Sequence, residues 1–146
     1  MKPHSLHKLA TAGFAVLVLG IAANSSHAAD LTVNVKNLRA QNGVLMLALF
    51  NSAESFQKMD KQFGAQMIAA VQDPGVFIFK NLPAGRYAVS VFQDENRNGK
   101  MDSNMLGVPV ERYGFSNNAM GKMGPPDFES AALTISDNRE ISIDLR

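Results

Sequence analysis

Residues 76–92 read VFIFKNLPAGRYAVSVF, and they carry the clearest secondary-structure signal in the chain. β-Branched and aromatic residues fill VFIFKN, and apolar and polar side chains alternate with a period of two in RYAVSVF, which is the pattern of half-buried strands. Between them, Pro83 presets φ for the second position of a turn and Gly85 closes that turn. The stretch therefore predicts strands over residues 76–81 and 86–92.

Similar patterns lie on both sides of this stretch. LTVNVKN (31–37) alternates as a half-buried strand does, whereas GVLMLALF (43–50) is apolar on both faces and predicts an interior strand. QNG (41–43) between them fits a tight turn. Near the C-terminus, AALTI (131–135) and EISIDLR (140–146) flank SDNR and predict a hairpin.

Residues 52–63 have a different pattern, which predicts a short helix with Ser52 as its N-cap. The apolar side chains at helical spacing are Phe56, Met59 and Phe63. We expect this helix to cover the outward face of strand 43–50. Many short strands with Gly, Pro and Asn turns predict an all-β fold, an antiparallel β-sandwich with one short helix and a long ordered loop, as a single domain over residues 29–146.

The N-terminal segment 1–28 has the three parts of a secretory signal peptide. A basic region is followed by fifteen apolar residues and then by small residues at the −3 and −1 positions, Ser26 and Ala28. A membrane-spanning helix needs about 20 apolar residues, so we expect cleavage before Ala29 and no membrane span afterwards. The predicted location is periplasmic or secreted.

Removing this segment limits the chemistry of the remaining 118 residues. All three histidines lie in the segment and the chain has no cysteine, which excludes Cys–His and Ser–His–Asp nucleophiles, the usual zinc sets, disulfides and a lipoprotein anchor. Loss of Lys2 and Lys8 leaves twelve basic and thirteen acidic residues, a net charge of −1. No basic surface for nucleic acid is therefore expected.

The acidic loop (residues 94–102) follows the strand 86–92 and matches the calcium-loop pattern in part. Asp94, Asn96, Asn98 and Asp102 occupy its positions 1, 3, 5 and 9, with Gly99 at the sharp turn of position 6. Oxygen ligands at this spacing predict a Ca²⁺ site.

Other positions weaken that prediction. The carbonyl of Lys100 falls at position 7, but position 12, where a bidentate acid belongs, is Met105. Glu111, Asp127 and Glu129 are the candidates for the missing ligand, so a weak site is expected. The alternative is an ordered polar loop without metal, since Asn and Asp close Asx turns and Asn-Gly is typical of turns.

Residues 106–131 form a predicted long loop rich in glycine, proline and aromatic residues. Loops of this length in compact domains are functional or disordered, and the aromatic residues argue against disorder. The candidate ligand surface consists of Tyr113, Phe115, Asn117, Asn118 and Phe128. Alternatively, Phe115 and Phe128 plug one end of the sandwich while the asparagines satisfy backbone groups of the loop.

The motifs over residues 77–133 resemble an exported bacterial family of unknown function, DUF2141. Its blocks F-x-x-L-P-x-G-x-Y-A, D-E-N-x-N-G-x-x-D, L-G-x-P-x-E-x-Y-G-F-S-N-N and G-P-P-x-F-E-x-A occur here in order. The resemblance implies no catalytic residue. The chain is also similar to prealbumin-like (CNA-B-like) sandwich modules, some of which hold structural calcium in the acidic loop. That similarity implies Asp94, Asn96, Asn98 and Asp102 as metal ligands.

Three functions follow as hypotheses. The first is a non-enzymatic exported module stabilised by Ca²⁺ at residues 94–102. The second is a metal-free module that binds a glycan, a peptide or an envelope protein through loop 106–131. The third is a hydrolase that uses Asp and Glu alone, for which thirteen scattered acidic residues provide no paired signal.

Overall fold

Eight strands and two short helical segments form within residues 28–146, the part of the chain that the computed structural model describes. The strands are β1 (Ala28–Lys36), β2 (Val44–Phe50), β3 (Gly64–Ala69), β4 (Gly75–Pro83), β5 (Gly85–Asp94), β6 (Tyr113–Phe115), β7 (Leu133–Ile135) and β8 (Arg139–Asp144). The helical segments are a 3₁₀ turn (Ser116–Asn118) and the one-turn helix α1 (Phe128–Ala131). Apart from Ala28, the predicted signal peptide lies outside the described residues.

The strands form two sheets. The first has the order β4–β1–β8, and the second has the order β3–β2–β5–β6, with β7 paired to the start of β5. All pairs are antiparallel except β1 with β8, which run parallel. The structure therefore confirms the predicted all-β sandwich, and this parallel pair is its departure from a purely antiparallel arrangement.

The inward-facing side chains of the two sheets form the main core. Alternation along each strand directs every second residue between the sheets, as the sequence pattern predicts. Burial of each large aliphatic or aromatic side chain contributes about 1.5–3 kcal/mol. The members of this core include Leu31, Val33, Val35, Leu45, Leu47, Leu49, Phe77, Phe79, Tyr87, Val89, Val91, Leu133, Ile135, Ile143 and Leu145.

A second, smaller core lies on the outward face of the second sheet. The Phe56 ring makes edge-to-face contacts with Phe50, Phe115 and Phe128 at centroid distances of 5.5, 6.2 and 5.8 Å. Edge-to-face pairs of this kind contribute about 0.5–1.5 kcal/mol beyond burial. The second core anchors both the 51–63 connection and the end of loop 106–131.

Residues 52–63 do not form the predicted helix. One turn begins as expected, because the backbone oxygen of Ser52 accepts the N–H of Phe56 at 3.1 Å. Gln57 then adopts φ of 67°, a left-handed conformation that ends a right-handed helix. An isolated helix of this length does not overcome its nucleation cost. The predicted cover over the outward face of β2 is present, but a turn containing Phe56 provides it.

Strand β3 occupies a segment for which the sequence predicts no strand. Its residues GAQMIA include a single β-branched residue, and Gly and Ala are depleted in strands. Pairing along the whole of β2 provides the stabilisation that propensity lacks.

The predicted C-terminal hairpin is wrong. β7 pairs with β5 in the second sheet, whereas β8 pairs with β1 in the first, so the connection 136–138 crosses between sheets. The connections 37–43 and 83–85 also cross between sheets rather than closing hairpins. Short turn signals specify a reversal of direction, but the partner of each strand depends on which sheet buries its apolar face.

Gln93 fixes the crossover between β1 and β2. Its side chain is fully buried, and its Oε1 accepts the N–H of Arg39 at 2.9 Å. Its Nε2 donates to the carbonyl oxygens of Ala40 and Asn42 at 2.8 and 3.1 Å. Three backbone groups of the crossover thus depend on one amide.

We expect Gln93→Met, which keeps the side-chain volume but removes these hydrogen bonds, to lower the free energy of unfolding by about 1–3 kcal/mol. Urea denaturation measures the change. Gln72→Met, at an exposed position, is the matched control and should leave stability unchanged. Equal stability of the two variants would contradict the role assigned to Gln93.

Candidate functional site: an acidic loop and an apolar groove

The acidic loop is built around the carboxylate of Asp94, which ends β5 and is 1% exposed. Its Oδ1 accepts the N–H of Asn98 at 3.1 Å, and its Oδ2 accepts the N–H of Gly99 at 2.7 Å. The turn requires left-handed φ values of 62° at Arg97 and 76° at Gly99. Glycine adopts this conformation without steric cost.

Asp102 closes the loop from the other side. Its Oδ2 and Oδ1 accept hydrogen bonds from the side-chain amides of Asn96 and Asn98 at 2.6 and 2.9 Å. The amide oxygens in turn accept backbone N–H groups: that of Asn98 binds Asn96 Oδ1 at 3.0 Å, and that of Lys100 binds Asn98 Oδ1 at 2.8 Å. The asparagines therefore act as Asx-turn residues.

Glu111 holds the two ends of this excursion together. It is buried, its Oε1 accepts the N–H of Glu95 at 2.9 Å, and its Oε2 accepts the N–H of Asp102 at 3.0 Å. The Val110 N–H donates to the Asp102 carbonyl at 2.9 Å beside it. The structure thus brings all the predicted metal candidates into one hydrogen-bonded network.

The arrangement of this network is different from a calcium shell. Each carboxylate oxygen of Asp94, Asp102 and Glu111 faces an N–H donor. Calcium requires six to eight oxygen ligands directed at one point. Within residues 28–146, no three acidic side chains converge in a group able to hold a metal ion. The residues do not fit calcium as arranged here, and the calcium site stays a prediction.

A finger (residues 103–109) projects beyond the acidic loop. The Asn104 side-chain oxygen accepts the N–H groups of Leu106 and Val108 at 2.9 and 3.1 Å, and Gly107 adopts φ of 75°. This polar base presents Met105 and Leu106 to solvent at 104% and 87% exposure.

An apolar row crosses the outward face of the second sheet beside the finger. Met67 of β3 pairs with Met46 of β2, Met46 pairs with Phe92 of β5, and Phe92 pairs with Tyr113 of β6. Directly paired residues share one face, so the four side chains form a continuous line. The next row is smaller and is formed by Ala65, Ala48, Ser90 and Phe115.

The groove lies over the Phe92–Tyr113 end of these rows. It has a volume of about 600 Å³, and residues of the acidic loop, the finger and the 124–125 segment form its walls. Its apolar lining residues include Met59, Phe92, Met101, Pro109, Tyr113 and Pro125. Its polar lining side chains are Gln57, Ser90, Lys100 and Tyr113 within the described chain, and Lys100 is the charged one.

The predicted ligand surface in loop 106–131 separates into two parts. Tyr113 lines the groove, and Phe115 also lines it although it is only 5% exposed. Phe128 is 6% exposed and lies in the second core. The amides of Asn117 and Asn118 instead bind the protein itself. Asn117 donates to the carbonyl oxygens of Ser130 and Ala132. Asn118 donates to Asp144 Oδ2 and accepts the Asp144 N–H.

Two charged contacts pin the C-terminal part of that loop. Asp127 caps α1 by accepting the N–H of Ser130 at 2.7 Å, and hydrogen bonding from the side chain of Ser130, together with this backbone bond, lowers the pKa of Asp127. Arg86 donates two hydrogen bonds to Glu129 at 3.0 and 2.8 Å. These bonds lower the pKa of Glu129 and raise the pKa of Arg86.

Sequence reasoning missed Met59 and Phe92, which line the groove, and Met46 and Met67, which continue the apolar row beside it. Met46 and Phe92 stand at outward positions of recognised strands, but their adjacency depends on the register between β2 and β5. The sequence pattern places Met59 on the apolar face of the predicted helix 52–63. Met67 lies in β3, for which the sequence predicts no strand. The sequence feature that could have revealed part of this surface is the apolar character of both faces of residues 43–50, which indicates that the outward face is also covered.

Fold and site together describe an all-β sandwich with an open groove on one sheet face. A family model described as "Uncharacterized protein conserved in bacteria (DUF2141)" matches residues 33–143, and the chain belongs to this family. This confirms the resemblance drawn from the four ordered motifs. No curated protein matches the chain, and no solved structure matches it either. The similarity to prealbumin-like modules stays a prediction.

The described residues also contain no helix with the length and apolar character that crossing a membrane requires.

We expect Asp94→Asn to lower the free energy of unfolding by about 1–3 kcal/mol, because one backbone N–H then faces an amide nitrogen instead of an oxygen. Asp60→Asn, at an exposed position, is the control and should have no effect.

We further expect equal melting temperatures of the wild type in EDTA and in millimolar calcium. A rise with calcium that Asp94→Asn abolishes would restore the calcium interpretation.

Acid should weaken the anchoring of α1. Folding lowers the pKa values of Asp127 and Glu129, so their contribution is fully present above the ordinary carboxyl pKa near 4 and is lost as the pH falls through the lowered values. The wild type should therefore be more stable than Glu129→Gln at pH 7, with the difference shrinking at pH 3. Urea unfolding at both pH values measures it; a constant difference would contradict the assignment.

Proposed function

We propose that this protein is an exported, non-enzymatic binding module that takes an apolar peptide segment of an envelope protein into the groove. The observation that carries the proposal is the groove itself, which is about 600 Å³ in volume and lined mostly by apolar side chains, among them Phe92 and Tyr113 of the apolar row. Ligand sites commonly have volumes of about 300–1,000 Å³. The N-terminal pattern of residues 1–28 supports export.

The chemistry of the lining favours a peptide over a glycan. A sugar needs several hydrogen-bonding groups around it, whereas the groove's apolar side chains outnumber its polar ones. Methionine and aromatic side chains adapt to varied apolar partners. Lys100 adds a cation at the wall formed by the acidic loop, so an acidic residue beside the apolar side chains of a peptide fits the lining.

The lining also supports a role without catalysis. None of the groove-lining residues of the described chain is Asp or Glu, so an Asp/Glu-dependent hydrolase has no carboxylate pair there. A Ca²⁺ ion at residues 94–102 is an alternative explanation of what orders the wall of the groove. It does not concern what the groove binds. Here the wall is ordered by the hydrogen bonds of Asp94, Asp102 and Glu111.

The test is binding of an array of synthetic eight-residue apolar peptides, each in a version with one Glu and a version with one Lys. We expect binding of apolar sequences with a preference for the Glu versions. Truncation of a central contact commonly weakens binding by more than 1 kcal/mol, so Phe92→Ala should reduce affinity about fivefold or more. Lys100→Gln should remove the preference for Glu.

Met123→Ala is the matched control, since Met123 is fully exposed and outside the groove lining. It should bind peptides as the wild type does. Binding of glycans but not of peptides, or equal losses in Phe92→Ala and Met123→Ala, would overturn the proposal.

A further inference from the structure

The methionines of residues 28–146 have an unusual distribution. All seven lie outside the two cores, as intermediate or exposed residues. Methionine is ordinarily a filler of buried, irregular space. Five of the seven, Met59, Met67, Met105, Met120 and Met123, are at least half exposed.

Three of these methionines meet in one place, here named the methionine pocket (Met46, Met59 and Met67). Met46 and Met67 are directly paired across β2 and β3, where opposite Cβ atoms lie about 4.5–5.5 Å apart. Met59 joins them from the 51–63 connection, and all three line a cavity of about 220 Å³.

The surroundings of the pocket leave room for a ligand at the sulfurs. Its floor consists of the small side chains of Ala48, Ala65 and Ser90. Met59 and Met67 are 56% and 62% exposed, so the pocket is open to solvent. Phe92, paired with Met46 on the side away from Met67, also lines the cavity.

The donor set defines the class of ligand. Thioether sulfur is a soft, uncharged ligand that selects Cu(I) among the biological transition metals. The pocket's lining contains no carboxylate in the described chain, so it offers little to Ca²⁺ or Mg²⁺. Residues 28–146 contain no cysteine or histidine, so the thioethers are the soft side-chain ligands available there. Phe92, an aromatic residue of the lining, is a further favourable neighbour for a cation.

We propose that Met46, Met59 and Met67 form a site for a soft monovalent cation, Cu(I), on the outward face of the second sheet. The assignment of this site does not rest on the proposed peptide binding, since its ligands are three sulfurs and it needs no peptide. It is also distinct from the acidic loop, whose oxygen groups suit hard cations.

The test is a titration of the purified full chain with Ag(I), a redox-stable probe of the same class, and with Cu(I) under anaerobic conditions against a chromophoric chelator. We expect one cation per chain. With ¹³C-methyl methionine, the resonances of Met46, Met59 and Met67 should shift, while those of Met105, Met120 and Met123 stay in place.

Met67→Leu conserves volume and keeps the strand apolar, so the variant should fold normally and retain its melting temperature. We expect it to weaken binding of both cations at least tenfold, and Met46→Leu to do the same. Met123→Leu is the matched control and should bind as the wild type does.

Three results would overturn the proposal: no binding of either cation, equal shifts of all methionine resonances, or unchanged affinity in Met67→Leu. The peptide array is run on metal-free protein, so each proposal fails or stands on its own measurement. Loss of peptide binding with retained Ag(I) binding would remove only the peptide proposal.

Discussion

The hydrogen-bonded pairing of strand β5 is the constraint on which most of the described structure depends. β5 pairs with β2 along residues 88–94, with β6 at residues 90–92 and with β7 at residues 85–87. Side-chain alternation gives its two faces different tasks. Val89 and Val91 face the core between the sheets, while Ser90 and Phe92 face the groove. A one-residue slip would exchange these sets, so core and groove fix the same register.

The end of β5 applies the same alternation to polar residues. Gln93 and Asp94 are adjacent, buried and directed to opposite faces. Gln93 binds backbone groups of the β1–β2 crossover, and Asp94 binds those of the acidic loop. Buried polar groups are tolerated where they are hydrogen-bonded, and here their side chains bind backbone groups of two connections while their own backbones still pair with β2. The β1–β2 crossover and the acidic loop are thus both tied to the end of β5.

The fold class and six of the eight strands could be predicted from the pattern of apolar residues, because burial of one or both faces leaves a direct mark on the sequence. The partners of the strands could not be predicted in the same way. The sequence of β7 and β8 predicts a hairpin, but β7 pairs with β5 and β8 pairs with β1. The residues of the acidic loop lie together in one hydrogen-bonded turn, because their spacing reflects local structure. Their Asx-turn geometry and a metal geometry require the same residue types, so spacing alone did not separate the two. The row of Met67, Met46, Phe92 and Tyr113 comes from four separate segments, and no local pattern contains it.

The groove and the methionine pocket share Met59, Ser90 and Phe92, and this has a thermodynamic consequence. Met59 is carried by the 51–63 connection, which is anchored through Phe56 in the second core. A peptide that draws the Met59 side chain into the groove removes one sulfur from the pocket, and a bound cation holds that sulfur away from the groove. Because coupling between two ligands is reciprocal, each must weaken the other by the same factor. The exposed Met59 would then couple the binding of two chemically unlike ligands, a peptide and a soft cation, on one sheet face.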